Sequence, residues 1–239
     1  RDEERAVTVR AIEYYVDDDD FNEVKLDYRG KPQYSTMISK LCEYNRRSEF
    51  ILKVLSDMLN ENPNQQIMIL AHNKSLITYL HDAIAHRKLG EGSVGYYIGG
   101  MRQSKLEESS TKTVILATFA MAAEGLDIAT IDTIILSTPK TDIEQAVGRI
   151  RPKVGVIAKN PPLVMDIVDD FSMFSRQADK RNDFYKKKNY YIDTFRASRD
   201  GKTITKVSSW EPNSQDEEGK KKKSGKITET PILKKFAFT

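Results

Sequence analysis

The chain has 239 residues, 39% of them hydrophobic and 31% charged, enough apolar material for a packed core. No run approaches the roughly 18 apolar residues that a membrane-spanning helix needs, and the single cysteine, Cys42, excludes an internal disulfide framework or a cysteine-rich zinc site and fits a reducing compartment. The net charge of +3 is unevenly spread. Residues 196–239 hold 11 Lys/Arg against 6 Asp/Glu and residues 1–195 hold 27 against 29, so any nucleic acid must meet a local patch.

In chain order, residues 7–16 are rich in Val, Ile and Tyr and predict a strand. The run Asp17 to Asp20 reads as an exposed turn, because consecutive side chains diverge too far to share a metal. Helices are expected over 35–42 and 47–59. In the second, Phe50, Ile51, Val54, Leu55, Met58 and Leu59 recur every three or four residues as one apolar stripe. Strands at 67–71, 94–98, 113–117, 133–137 and 163–168 then alternate with helices at 73–86, 103–109, 142–150 and 174–188. Short, continuously apolar strands separated by helices predict an α/β fold, a parallel sheet covered by helices on both faces. From about Arg196 the pattern stops. Ser, Lys, Glu, Gly and Asp dominate, Lys220 to Lys223 is wholly basic, and a disordered or docked tail is expected. His72, His81 and His86 share one strand–helix unit without acidic companions, so no metal centre is expected. The chain opens on Arg1 with no signal-peptide pattern and reads as a fragment of a longer protein.

Two stretches carry chemistry. In residues 117–128 a buried strand ends at Ala117. Thr118 then stands where open parallel sheets bind ligands, Gly125 permits a tight turn, and Asp127 can accept hydrogen bonds from sugar hydroxyls. In residues 142–151, Gln145 and Arg149 are four apart, on one helix face. Gly148 between them costs about 1 kcal/mol inside a helix, which suggests the close approach of a ligand or another backbone. Arg149 and Arg151 keep their charge, and their planar forks match phosphate oxygens. Read alone, the first stretch is equally an ordinary turn, and for a lone pair of arginines the reading as surface ion-pair formers is favoured.

Taken together, three blocks in order resemble the C-terminal RecA-like lobe of superfamily 2 helicases. Residues 67–76 (IMILAHNKSL) look like motif IV, residues 117–128 (ATFAMAAEGLDI) like motif V and residues 145–151 (QAVGRIR) like motif VI. The resemblance covers about residues 45–170. It is closer still to helicases of nucleocytoplasmic large DNA viruses, related to the poxvirus transcript-release helicase, through Asp166 to Asp169 followed by Phe171, Phe174, Arg181 and Tyr185. One departure stands out: the family pattern Gln-x-x-Gly-Arg-x-x-Arg would put its last arginine at Pro152, whereas Arg151 comes one place early. The arginine-finger role is therefore shared between Arg149 and Arg151.

The resemblance implies a motor lobe of an ATP-dependent helicase or translocase. Residues 1–44 give a strand and lead-in helix of the lobe, 45–195 the RecA-like domain and 196–239 a basic low-complexity tail. Arg149 and Arg151 would act on the γ-phosphate, with Gly125, Asp127, Gln145 and Gly148 around the nucleotide. Asn73, Lys74, Gly100 and Thr118 would meet DNA or RNA through phosphates, leaving sequence unread. Each has a plainer reading: Asn73 as a helix cap, Gly99–Gly100 as a turn. ATP and Mg2+ would be held mainly by an N-terminal lobe. Gly201-Lys202-Thr203 is no phosphate loop, because Arg196 occupies the place of the first glycine, and no acidic metal-binding block follows a buried strand. This chain alone is therefore expected to be inactive as an ATPase.

The segment from Phe174 to Tyr191 mixes basic and aromatic residues. Phe174, Ala178, Arg181 and Tyr185 at helical spacing favour packing on the sheet over base stacking. The tail offers a route to transcription or replication machinery, and an intracellular setting is expected: host cytoplasm, nucleus or virion. A non-catalytic nucleic-acid-binding or protein-interaction module on the same fold is the alternative. A small-molecule enzyme is disfavoured, because no glycine-rich dinucleotide loop is present.

Overall fold

The computed structural model describes residues 7–124, 127–150, 160–170 and 172–212. Its central strands are buried on both sides. β1 (Thr8–Tyr14) is followed by α1 (Asp19–Asn22), α2 (Tyr34–Glu43) and α3 (Asn45–Glu61). The alternating unit follows: β2 (Ile67–Ala71), α4 (Lys74–Arg87), β3 (Val94–Tyr97), α5 (Gln103–Ser110), β4 (Val114–Thr118), α6 (Phe119–Glu124), β5 (Thr133–Leu136), α7 (Glu144–Gly148), β6 (Leu163–Asp169), α8 (Ser172–Lys187), β7 (Tyr191–Ala197) and β8 (Ile204–Trp210). One sheet results, in the order β3-β4-β2-β5-β6-β1-β7-β8. Every pairing is parallel except that of β8 with β7.

Alternation along the strands divides the core in two. Ile67, Ile69 and Ala71 of β2 face a cluster built with Ile51, Leu55 and Met58 of α3 and Leu76, Ile77 and Leu80 of α4. Met68 and Leu70 face the opposite cluster, with Phe119 and Ala122 of α6, Ala146 and Val147 of α7 and Ile143 just before it. Helices thus cover both faces, as the apolar runs predict.

β6 carries a buried acid toward each face. Asp166 accepts from Arg181 Nε and Nη2 at 2.9 Å each and from the Tyr185 hydroxyl at 2.8 Å. Asp169, three residues on and therefore on the other face, pairs with Arg47 of α3 at 2.7 and 2.8 Å. Both pairs are bidentate, the geometry in which a buried ion pair is best tolerated, although Arg47 Nη1 is buried without a hydrogen-bond partner. α8 buries Phe174, Ala178, Arg181 and Tyr185, the four residues that the spacing selects for packing.

Two expectations need correction. The stretch from Arg196 does not begin as a tail. β7 continues to Ala197, and β8 pairs antiparallel with it through Ile192–Trp210 and Ala197–Ile204. An edge strand is held by backbone bonds to its neighbour, so Ile204 alone needs deep burial and the polar sequence hides the strand. Residues 213–239, with the Lys220 run, lie outside the described residues. The Asp17–Asp20 run is largely exposed, but Asp18 also caps α1 by accepting from Phe21 N at 3.1 Å.

Candidate nucleotide and nucleic-acid site

The C-terminal ends of β3, β4 and β2 lie side by side, since Tyr97 is in register with Ala117 and Ala71 with Thr118. Asn73, Lys74, Gly100 and Thr118, chosen from scattered segments, therefore fall along one edge of the sheet. Lys74 is exposed and Asn73 half-buried. Asn73 occupies the cap position of α4, yet its side chain makes no cap bond and instead accepts from Ser75 Oγ at 3.3 Å. Gly100 sits at φ +83 with open space around it, a backbone state that other residues adopt at a cost. Thr118 Oγ1 accepts from Met121 N at 3.2 Å and so starts α6. One hydroxyl serves both strand end and helix start.

The loop after β5 adds groups to this edge that sequence reasoning missed. Thr138 Oγ1 accepts from His72 N at 3.1 Å and lies 2.7 Å from His72 Nδ1. Lys140 stands over the Phe119 ring at 5.4 Å. Burial, helped by the Lys140 charge, lowers the His72 pKa to about 4, so its ring is neutral at pH 7. Arg181 Nη1 donates to the Lys140 carbonyl at 2.8 Å, tying this loop to the buried Asp166 pair. Lys140 stands four residues past the last strand residue, beyond the carboxyl end of a parallel strand, and that position was the available signal.

α7 turns its apolar side inward. Ile143, Ala146, Val147 and Ile150 are buried at i, i+3, i+4 and i+7. Gln145 and Gly148 are left exposed and Arg149 half-buried. Arg149 Nη2 donates to the Ala123 carbonyl at 3.5 Å, which brings the arginine to the end of α6, just before the Gly125–Asp127 stretch. No ion pair engages Arg149 among the described residues. A Cβ at Gly148 would meet nothing within 4 Å. Among the described residues nothing approaches that glycine closely. Asp127 is exposed. Gly125 and Arg151 lie outside the described residues.

Among the described residues no group of three or more His, Cys, Asp or Glu side chains is placed to hold a metal ion. No helix among them is long and apolar enough to cross a membrane.

Known proteins resemble this chain in sequence and in fold. Residues 50–151 match the model of the helicase conserved C-terminal domain. Over those residues the chain is similar to that domain, and the sheet with helices on both faces has the layered architecture that the motifs imply. Among related proteins, one from Acanthamoeba polyphaga mimivirus, named "Putative ATP-dependent RNA helicase", is 36% identical over 77% of this chain and 36% of its own length. A protein of the same name from African swine fever virus (strain Badajoz 1971 Vero-adapted) is 26% identical over 79% of this chain and 42% of its own. The chain thus spans well under half the length of the curated relatives it matches. The crystal structure of T4 UvsW superposes with a TM-score of 0.60 at 16% identity, covering 80% of this chain and 42% of that one. At that identity the likeness is one of fold.

Proposed function

We propose that this chain is the C-terminal motor lobe of an ATP-dependent nucleic-acid helicase or translocase, working with a second lobe that holds the phosphates of ATP and its Mg2+. The observation that carries this reading is the outward presentation of Arg149, steadied at the end of α6 and unpaired with any acid among the described residues, beside the open flank of Gly148. A guanidinium held this way can neutralise charge developing on a transferring phosphate, a contribution of roughly 10³–10⁵ in rate where it has been measured. Arg151 shares that role by its place in the motif. Gln145 and Asp127, both exposed, are suited to contacts with nucleotide or with the facing lobe.

Asn73, Lys74, Gly100 and Thr118 would hold the strand by its backbone, a mode that positions without reading sequence. The names of the viral relatives favour RNA as the track. Closure of the two lobes on ATP would couple hydrolysis to movement along it.

The 239-residue chain tests the division of labour. It should bind single-stranded RNA with an affinity that falls as salt rises, and it should show no ATP turnover. Turnover by this chain alone would refute the reading, as would failure to bind RNA at low salt.

A further inference from the structure

Between β1 and α2 the chain builds a small hairpin whose purpose the core does not explain. Leu26 and Pro32 bridge antiparallel. Asp27 N donates to Lys31 O and Gln33 N to Lys25 O, each at 2.8 Å. The Asp27 carboxylate accepts from Arg29 N at 2.8 Å and Lys31 N at 3.0 Å, and Gly30 closes the turn at φ +74.

Both ends of the hairpin are fixed. On one side Phe21 is buried with its ring 4.3 Å from that of Tyr44, Tyr44 Oη donates to Asp18 at 2.8 Å, and Lys40 Nζ donates to Glu23 O at 2.8 Å. On the other, Tyr34 Oη donates to Pro139 O at 3.4 Å and lies 3.5 Å from His72 Nε2. The base of the hairpin is thus seated on the sheet edge, one residue from Asn73.

At the tip stands Tyr28, 88% exposed. Nothing in the turn requires an aromatic there, since this kind of turn accepts most residues at its centre. Among the described residues its ring meets one cation, the Arg29 guanidinium, 5.0 Å from the centroid. Arg29 and Lys31 make no ion pair among the described residues, and the one acid of the turn, Asp27, is consumed by backbone amides.

We infer that Tyr28 is a stacking platform for a base of single-stranded nucleic acid, with Arg29 and Lys31 attending the flanking phosphates. An aromatic ring held out by a braced turn loses little freedom on binding, and base stacking on such rings is tolerant of sequence. The placement argues for nucleic acid over a protein partner: the hairpin rises from the edge that carries Lys74 and Thr118, and its tip is cationic. The inference rests on the nucleic-acid part of the proposed function.

The test is binding of a single-stranded RNA oligonucleotide to the 239-residue chain, followed by fluorescence anisotropy over a range of salt. Tyr28→Ala should weaken binding about ten-fold and leave the slope of log affinity against log salt unchanged, while Tyr28→Trp restores affinity. Lys74→Ala should instead reduce that slope by about one. Circular dichroism should be the same for all variants, because Tyr28 and Lys74 pack against nothing in the core. If Tyr28→Ala binds as tightly as the parent while Lys74→Ala binds more weakly, the platform is refuted and the nucleic-acid reading stands. If the parent chain does not bind, both fall. Loss in Tyr28→Trp equal to that in Tyr28→Ala also refutes stacking.

Discussion

Thr118 Oγ1 accepts from Met121 N inside its own strand–helix unit, whereas Arg149 Nη2 reaches from α7 to the Ala123 carbonyl at the end of α6. Other groups come to this surface from farther away. Tyr34, Lys140 and Gln177 reach the same edge from segments far apart in sequence, and Gln177 Nε2 joins them by donating to Tyr34 Oη at 3.3 Å and to Thr141 Oγ1 at 3.1 Å. No local pattern announces such a meeting. His72 gives this edge a measurable titration. Its pKa lies below the ordinary value of 6.5, near 4, because burial and then Lys140 oppose the charged ring. Between those two values the unfolded chain binds a proton that the folded chain does not, so stability is full above about pH 6.5 and falls as pH drops toward 4. Allowing for partial exposure, the loss is on the order of 2 kcal/mol. Urea unfolding across this range should show the decline, and His72→Asn should flatten it. An unchanged slope in the variant would place the titration elsewhere.

At the scale of elements, helix and strand order from β2 to α8 follow from the apolar runs, which match those strands and the faces of α3 and α8 closely. β7 went unforeseen although Ile192, Phe195 and Ala197 are buried on it, and two further elements are held by something other than hydrophobic pattern. α1 depends on a single carboxylate cap. β8 depends on backbone pairing to β7. Gly201-Lys202-Thr203 lies in the turn between those two strands, where Gly201 N donates to Ser198 O and Ser198 N to Thr203 O; this is the wrong setting for a phosphate loop, which precedes a helix. The pair of Asp166 and Arg181 joins three elements: β6, α8 and the loop leading to α7. Arg181→Met leaves Asp166 charged and buried without its partner, so the fold should lose about 3–5 kcal/mol in denaturant unfolding. A loss within that of an ordinary surface substitution would show the pair to be dispensable.

Across the whole molecule, the sheet sorts its residues by edge. The carboxyl ends of β2, β3 and β4 carry the nucleic-acid candidates, and α7 presents Arg149 beside the end of α6. The Asp166–Arg181 pair of β6 and α8 holds one of its loops through the Lys140 carbonyl. Such an arrangement suits a lobe that supplies charge to a reaction assembled across a cleft and that grips a strand by its backbone.

If Arg149 meets the nucleotide, RNA-stimulated ATP turnover by the protein carrying both lobes must depend on it, and comparing Arg149→Ala with the parent is the decisive measurement. Turnover should fall by roughly 10³-fold or more, with RNA affinity retained and thermal unfolding unchanged. Turnover equal to the parent's would contradict the account and leave a nucleic-acid-binding lobe that takes no part in hydrolysis.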